Sequence, residues 1–186
     1  MCNFSSHFLY TCMQVDLSPS EFNTYYQHYI AKVQNPRLVE ALEESKAEML
    51  RGLHSIPDDK MKYAYAPQKW TVAEVIQHLI DTERIFAYRA LRFSRCDQTP
   101  LPGFEQDNYV PICEANTRTK EELIQDFAAC KDNTYALFHS FTEQMLRNKG
   151  TASGSSMSAR AAGFVIVGHQ KHHFEVLKQR YDIPLL

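Results

Sequence analysis

Three histidines near the end of the chain have a spacing that could bind a metal ion. They occur in the run GHQKHH at residues 168–173, where His169 can share a helix face with either His172 or His173. The apolar stripe that passes through Ile166 continues to His169 and His173, whereas His172 falls on a more polar flank. The pattern therefore favours His169 and His173. Two inward imidazoles can direct their nitrogens at one divalent cation, although ordinary hydrogen bonds would also satisfy them.

A third ligand could come from His78, which lies on an earlier predicted helix. Val75 and Thr82 share its face at the shoulder of the apolar stripe, so its ring can turn toward the interior. From spacing alone, however, a lone histidine in such a position is more often structural. Glu74 precedes His78 by one turn and could also bind the ion, but the capping box that it forms with Thr71 already explains this carboxylate.

The other polar residues of these segments receive structural interpretations. Asp81 and Glu83 could orient a ligand histidine, but exposed carboxylates are common on helices, and solvation is the simpler interpretation. The isolated histidines His28, His54 and His139 are also predicted to be structural. No general base or other catalytic residue is predicted, because that assignment requires the position of a substrate.

The candidate ligands must be held by helices, and helix-start and helix-stop signals predict five of them. A short N-terminal helix begins with a capping box at Ser18, and four longer amphipathic helices follow; the five cover about residues 18–33, 38–53, 71–95, 120–142 and 159–181. Residues 97–118 form a long connection with prolines and a glycine, and residues 150–158 are predicted to be a flexible Gly/Ser connector. The predicted fold class is all-α, an irregular four-helix bundle with an extra short N-terminal helix.

Composition limits the classes of protein that need to be considered. The 186 residues suit a single domain over 17–186, preceded by an N-terminal arm over 1–16 that we expect to be poorly ordered. With 20 Lys+Arg against 22 Asp+Glu, the formal charge is −2, and no basic stripe suits nucleic acid. The longest apolar run is too short to cross a membrane, and no secretory signal is recognisable, so we expect a cytoplasmic protein. Five scattered cysteines without a C-x-x-C pair are predicted to be reduced thiols.

Several segments, in order along the chain, resemble the DinB-like superfamily, also called YfiT-like metal-dependent enzymes. The resemblance covers most of the chain from about residue 25 onward. It is carried by YYQHYI at 25–30, YAPQKWTVAE at 65–74, HLIDTER at 78–84, LPGFEQDNYV at 101–110 and GHQKHH at 168–173. Lys131 stands where an arginine is frequent in this family, and Phe164 replaces a frequent tyrosine. Neither departure touches a candidate ligand.

The resemblance implies an up-down-down-up bundle, often paired as a homodimer. It also implies a metal held by one histidine of the second long helix and two of the fourth, and those positions match His78, His169 and His173. Three histidine ligands would leave coordination positions open, as in catalytic zinc sites. Zinc and nickel are the expected metals, since imidazole suits both.

Two classes of function are compatible with such a site. The first is a metal-dependent enzyme, either a hydrolase or a transferase of low-molecular-weight thiols, acting on a small molecule between the histidines and residues 97–118. The alternative is a non-catalytic module for binding or stress response that the metal stabilises. Turnover of a substrate would indicate the enzyme. A metal that only raises the stability of the protein would indicate the non-catalytic module.

Overall fold

The computed structural model describes residues 15–185, which are mostly helical. Its α-helices are α1 Gln27–Ile30, α2 Leu38–Ser55, α3 Val72–Ser94, α4 Gln106–Tyr109, α5 Lys120–His139, α6 Glu143–Arg147 and α7 Ala159–Arg180. Two strands, β1 Lys149–Ala152 and β2 Ser155–Ser158, form one hairpin. Short 3-10 turns lie at Pro19–Glu21, Thr24–Tyr26, Asp58–Lys60, Val110–Ile112 and Ala115–Thr117. The prediction of an all-α bundle is confirmed.

Capping boxes fix the starts of two of the long helices. The Thr71 hydroxyl accepts a hydrogen bond from the Glu74 amide, and the Glu74 carboxylate accepts one from the Thr71 amide. Thr119 and Glu122 repeat this arrangement at the start of α5. Reciprocal bonds of this kind satisfy amides that have no partner within the helix, typically worth about 1 kcal/mol for each cap. The long helices therefore begin where these local signals place them.

The four long helices α2, α3, α5 and α7 form the bundle, with α2 and α3 at diagonal corners. Both α2 and α3 pack against α5 and α7. Helices α2 and α7 run in the same direction, because Gly163 lies against Leu38 near their starts and Gly52 lies against Phe174 near their ends. The Tyr181 hydroxyl after α7 donates to a backbone carbonyl just before α3, so these two helices are antiparallel.

Contacts of α5 complete the topology. Arg84 pairs with Asp126, and about two turns earlier on α3 Gln77 accepts from Arg118, which lies just before the start of α5, so α3 and α5 are parallel. Lys120 at the start of α5 donates to a carbonyl just after the end of α2, so those two helices are antiparallel. The four helices thus run up, down, down and up, as the family resemblance implies.

A buried polar layer divides the core of the bundle into two apolar clusters. One cluster includes Phe86, Phe93 and Phe138, and the other includes Phe127 and Phe174. Between them lie the polar side chains Ser45, Glu83, Lys131, His169 and Gln170, all of which are buried. The candidate site therefore lies at the boundary between two well-packed regions.

Three sequence-based expectations about local structure are wrong. The short helix expected over 18–33 is interrupted, since only Gln27–Ile30 is α-helical. The helix expected to reach residue 142 ends at His139, and α6 follows. Residues 150–158 are the hairpin rather than a flexible connector; Ser153 and Gly154 have φ values of 51° and 74°, as a two-residue hairpin turn requires.

The hairpin anchors the long connection between α3 and α5. Leu101 pairs with Ala152 of β1: its amide donates to the Thr151 carbonyl of that strand, and its carbonyl accepts from the Ser153 amide. No helix within residues 15–185 combines the length and apolar character that crossing a membrane requires. Of the arm expected over 1–16, only Val15 and Asp16 fall in the described range.

Candidate metal centre

Three histidine side chains converge between α3 and α7. The Nε2 atom of His169 lies 3.1 Å from Nε2 of His78 and 3.1 Å from Nε2 of His173. One ligand atom from each residue falls within 4.8 Å of the others. His78 and His169 are only 4% and 6% exposed, and His173 is half-buried. The predicted set His78, His169 and His173 is therefore brought together at one point.

The rings cannot satisfy one another. A neutral imidazole nitrogen carries either one hydrogen or one lone pair in the ring plane, so His169 Nε2 can make only one good hydrogen bond to its two neighbours. The Nδ1 atom of His173 is buried and has no partner within the described residues. Two nitrogens bound to one tetrahedral ion at 2.0–2.1 Å would stand about 3.3 Å apart. The observed separations fit such an ion, which would satisfy all three Nε2 atoms together.

Burial keeps these histidines in the neutral form that binds metals. Desolvation lowers the pKa of His78 from 6.5 to about 4 and that of His173 to about 3. The pKa of His169 is also well below the ordinary value, first because of desolvation and then because of repulsion by the neighbouring rings of His173 and His78. At neutral pH no proton has to be displaced before a cation binds.

The remaining histidines lie outside this group. His172 is half-buried, and its ring centroid stands 5.1 Å from that of His173 without joining the converging atoms. His28 contacts the ring of His172 at a centroid distance of 6.0 Å. His54 and His139 are exposed elsewhere on the bundle. The choice of His173 over His172, made from the apolar stripe, agrees with this geometry.

The nearby carboxylates have other partners. Glu74 accepts from Thr71 and from Asn116, so both of its oxygens are used, in agreement with the capping interpretation. Asp81 accepts from Gln77 at 2.9 Å. Glu83 was expected to be solvated, but it is buried and pairs with Lys131. It does not contact any of the three converging histidines.

Aromatic and hydroxyl side chains contact the rings of the candidate ligands His78 and His169. The Trp70 ring lies 4.9 Å from the ring of His78, and the Thr82 hydroxyl lies 3.4 Å from Nδ1 of the same histidine. Tyr29 of α1 packs edge-on against His169 at 5.2 Å. This approach depends on Gly168, because a Cβ there would stand 2.0 Å from the Tyr29 carbonyl oxygen.

Two clefts meet at the histidines. The first, which we call the arginine cleft, has a volume of about 230 Å³ and includes Tyr29, Arg89 and His169 in its walls. The second, the tryptophan cleft, has a volume of about 720 Å³ and includes Trp70 and His173. Asp107 of α4 belongs to the wall of both clefts. The connection over residues 97–118 therefore borders the site, as expected.

Tyr29, Arg89 and Asp107 were not predicted as residues of the site. Tyr29 and Asp107 lie in segments that resemble the DinB-like family, YYQHYI and LPGFEQDNYV, so a signal for them was present. Arg89 had no such signal, because it stands among several other arginines of the same helix. Only the packing of residues 97–118 against α3 distinguishes Arg89 from the other arginines of this helix.

The fold and the site define a class: four-helix-bundle proteins with a histidine-rich candidate metal centre between two helices. Within that class, the chain belongs to the DinB superfamily, whose sequence model matches residues 41–177. The match includes all three converging histidines. No curated protein matches the sequence.

Two solved structures share the fold at low sequence identity. YfiT from Bacillus subtilis, described as a probable metal-dependent hydrolase with an unusual four-helix bundle topology, is 18% identical with a TM-score of 0.65, over 80% of this chain and 88% of YfiT. A mycothiol-dependent maleylpyruvate isomerase is 13% identical with a TM-score of 0.61, over 80% of this chain. The aligned region spans only 60% of that isomerase. Both similarities establish the bundle topology.

Proposed function

We propose that this protein is a metal-dependent enzyme in which His78, His169 and His173 hold one divalent transition metal, zinc or nickel. The observation that carries the proposal is the convergence of three neutral Nε2 atoms that cannot satisfy one another. The two clefts give the centre access to a small molecule. Hydrolysis and the transfer of a low-molecular-weight thiol are the two reactions that we propose, since YfiT and the mycothiol-dependent isomerase share the fold.

The metal would supply a Lewis acid able to activate water or a thiol. The protein's own residues would fix the geometry around it. Trp70 and Thr82 restrict the ring of His78, and Tyr29 restricts that of His169, so the nitrogens of these two rings are preorganised. The aromatic walls of the arginine cleft, including Phe86 and Phe104, would exclude bulk water from a bound molecule.

Metal analysis of protein purified without a histidine tag tests the site directly. We expect about one zinc or nickel ion for each chain in the wild type, and loss of most of it in His169→Ala. His172→Ala is the matched control, because this histidine lies on the same helix but outside the converging group. It should retain the wild-type metal content. Equal metal in the wild type and in His169→Ala would contradict the proposal.

Substrate panels then separate an enzyme from a binding module. Metal-loaded protein should turn over at least one member of a panel of esters, amides and thiol conjugates, and His169→Ala should lose that activity. If metal raised the melting temperature without turnover of any compound, the non-catalytic alternative would replace the enzyme. Circular dichroism of each variant would show that the bundle is intact.

A further inference from the structure

Arg89 is a buried cation in the wall of the arginine cleft. It is 2% exposed, and its Nη2 atom donates to the Pro102 carbonyl at 3.0 Å and to the Ser153 hydroxyl at 3.1 Å. A guanidinium has five donor hydrogens, and these two bonds use only those on Nη2. Burial of a charge without a counter-ion costs several kcal/mol, so such a group normally has an anionic partner.

Arg89 lacks a carboxylate partner within the described residues, in contrast to more exposed arginines. Arg84, Arg92 and Arg160 pair with Asp126, Asp97 and Glu21 respectively. Around Arg89 the charge faces the rings of Phe86 and Phe104, at 5.0 and 5.8 Å from the ring centroids. Cation–π contacts of this kind offset only part of the desolvation cost.

The polar neighbours do not supply the missing charge. Tyr26 borders the same cleft and interacts with the Arg89 guanidinium. Burial raises the pKa of the phenol above its ordinary value and outweighs the effect of this guanidinium, which lowers the pKa, so Tyr26 stays neutral and supplies no counter-charge. Glu105 and Asp107 also border the cleft, but both are exposed and neither forms an ion pair with Arg89. The buried end of the cleft therefore carries a net positive charge, with acidic groups only on its exposed side.

We infer that Arg89 binds a carboxylate group of the small molecule whose other end reaches the histidine centre. A carboxylate matches the planar guanidinium edge through two parallel hydrogen bonds. His169 and Arg89 both border the same cavity of about 230 Å³, so one compact molecule can contact both. The helical rise from His78 to Arg89 is about 16 Å, and long side chains on a helix generally point back toward its start, which is the direction of the histidines. This inference builds on the proposed function and narrows its substrate class to acidic small molecules.

Binding of 4-fluorobenzoate to metal-stripped protein, followed by fluorine NMR, tests this assignment. The matched probe 4-fluorobenzamide has the same shape and no charge. We expect the benzoate to bind at least about tenfold more tightly than the benzamide, and Arg89→Met to remove that difference. Arg84→Met is the control variant, because Arg84 is an exposed arginine of the same helix outside the cleft, and it should keep the wild-type preference. Equal binding of the two probes to the wild type would overturn the inference.

A second measurement separates ligand binding from a structural role of Arg89. The Nε–Hε signal of Arg89, identified by its absence in Arg89→Lys, should shift on addition of the benzoate and stay unchanged with the benzamide. An unshifted signal would overturn the inference even if Arg89→Met failed to fold. Tighter binding of 4-fluorophenyl phosphate than of the benzoate would overturn the assignment of a carboxylate and show that Arg89 binds a phosphate group instead. Because these experiments use metal-stripped protein, their outcome does not depend on the metal. A protein that takes up no metal in the metal analysis but still binds the benzoate through Arg89 would refute the metal proposal and leave this inference intact.

Discussion

Two buried polar clusters begin at neighbouring residues of α7 and differ in whether the chain can complete them. His169 belongs to the three-histidine centre, and Gln170 belongs to a network with Ser45, Glu83 and Lys131. Both clusters join α7 to α3 within the polar layer of the core. Adjacent positions of one helix face different neighbours, so one sequence segment contributes to two sites.

The Gln170 network is nearly complete by itself. Its carbonyl oxygen accepts from the Ser45 hydroxyl at 2.8 Å and from the Lys131 ammonium at 3.0 Å, while its amide donates to Glu83. Lys131 and Glu83 form an ion pair at 3.5 Å. One oxygen of Glu83 and the Thr134 hydroxyl lack partners in this region. The network links α2, α3, α5 and α7 and can specify their register without an outside group.

The histidine centre, in contrast, leaves its converging nitrogens without adequate partners. The comparison indicates that buried polarity is structural where donors and acceptors match within the chain. Buried polarity indicates a binding site where donors and acceptors are matched only after an ion or molecule from outside the chain is added. Each of the following predictions tests one side of this contrast.

The largest effect is expected from breaking the ion pair of the network. Lys131→Met leaves the Glu83 carboxylate buried without its cation and should lower the free energy of unfolding by about 3–5 kcal/mol. Denaturant titration measures this change. The double variant Lys131→Met with Glu83→Leu should recover much of the loss, because no buried charge remains. A loss below about 1 kcal/mol in the single variant would show that the network is not an essential part of the core.

A smaller effect is expected from pH, and it should be confined to the histidine centre. Burial lowers the folded-state pKa of His78 to about 4 and of His173 to about 3, from 6.5 in the unfolded chain. Between pH 6.5 and these lowered pKa values, the unfolded chain binds more protons than the folded chain. The stability contributed by the neutral histidines is therefore complete well above pH 6.5 and is lost as the pH falls below it. With His169 included, metal-free protein should lose about 3 kcal/mol between pH 6.5 and 5.5, or about 1 kcal/mol for each histidine.

The control for this pH dependence is a variant with glutamine in place of His78, His169 and His173. Its free energy of unfolding should change much less over the same pH range. The Glu21 carboxyl does not interfere, because its pKa is lowered from 4.5 to about 2 and its contribution is lost only at lower pH. The same slope in both proteins would assign the pH dependence to groups outside the centre.

The smallest effect is expected at Gly168, where α1 packs against α7 beside the histidine centre. Gly168→Ala should cost about 1–3 kcal/mol, because its Cβ would displace the Tyr29 backbone. Hydrogen exchange should become faster at the α1 amides and stay unchanged at Gln170. Gly103→Ala, where the added Cβ would meet Ser153 only at 3.4 Å, should change stability by less than about 0.5 kcal/mol. Unchanged exchange in α1 would show that its packing does not depend on Gly168.

Local signals predicted the positions of the long helices and of the two candidate ligands on α7. Thr71 and Thr119 cap their helices through side chains only three residues away, and the stripe through Ile166 identified His173. Such signals depend on short separations along the chain, so they can be recognised without knowledge of the fold. The convergence with His78 came instead from the family resemblance.

The features that escaped prediction depend on contacts between distant segments. Glu83 was interpreted as a solvated carboxylate, because its partner Lys131 lies on another helix. The hairpin was missed because its strands are short and rich in small residues, although the Ser153-Gly154 pair is a recognisable turn signal. Arg89 could be distinguished from the neighbouring arginines only by its burial beneath the connection that includes Pro102.

The short helix α4 borders both the arginine cleft and the tryptophan cleft. It lines the arginine cleft through Gln106 and Asp107, and Asp107 also belongs to the wall of the tryptophan cleft. Its connection is fastened at one end by the Leu101–Ala152 bridge and at the other by Asn116 and Arg118, which bind side chains of α3. A displacement of Asp107 between these anchors would therefore change the width of both entrances at once.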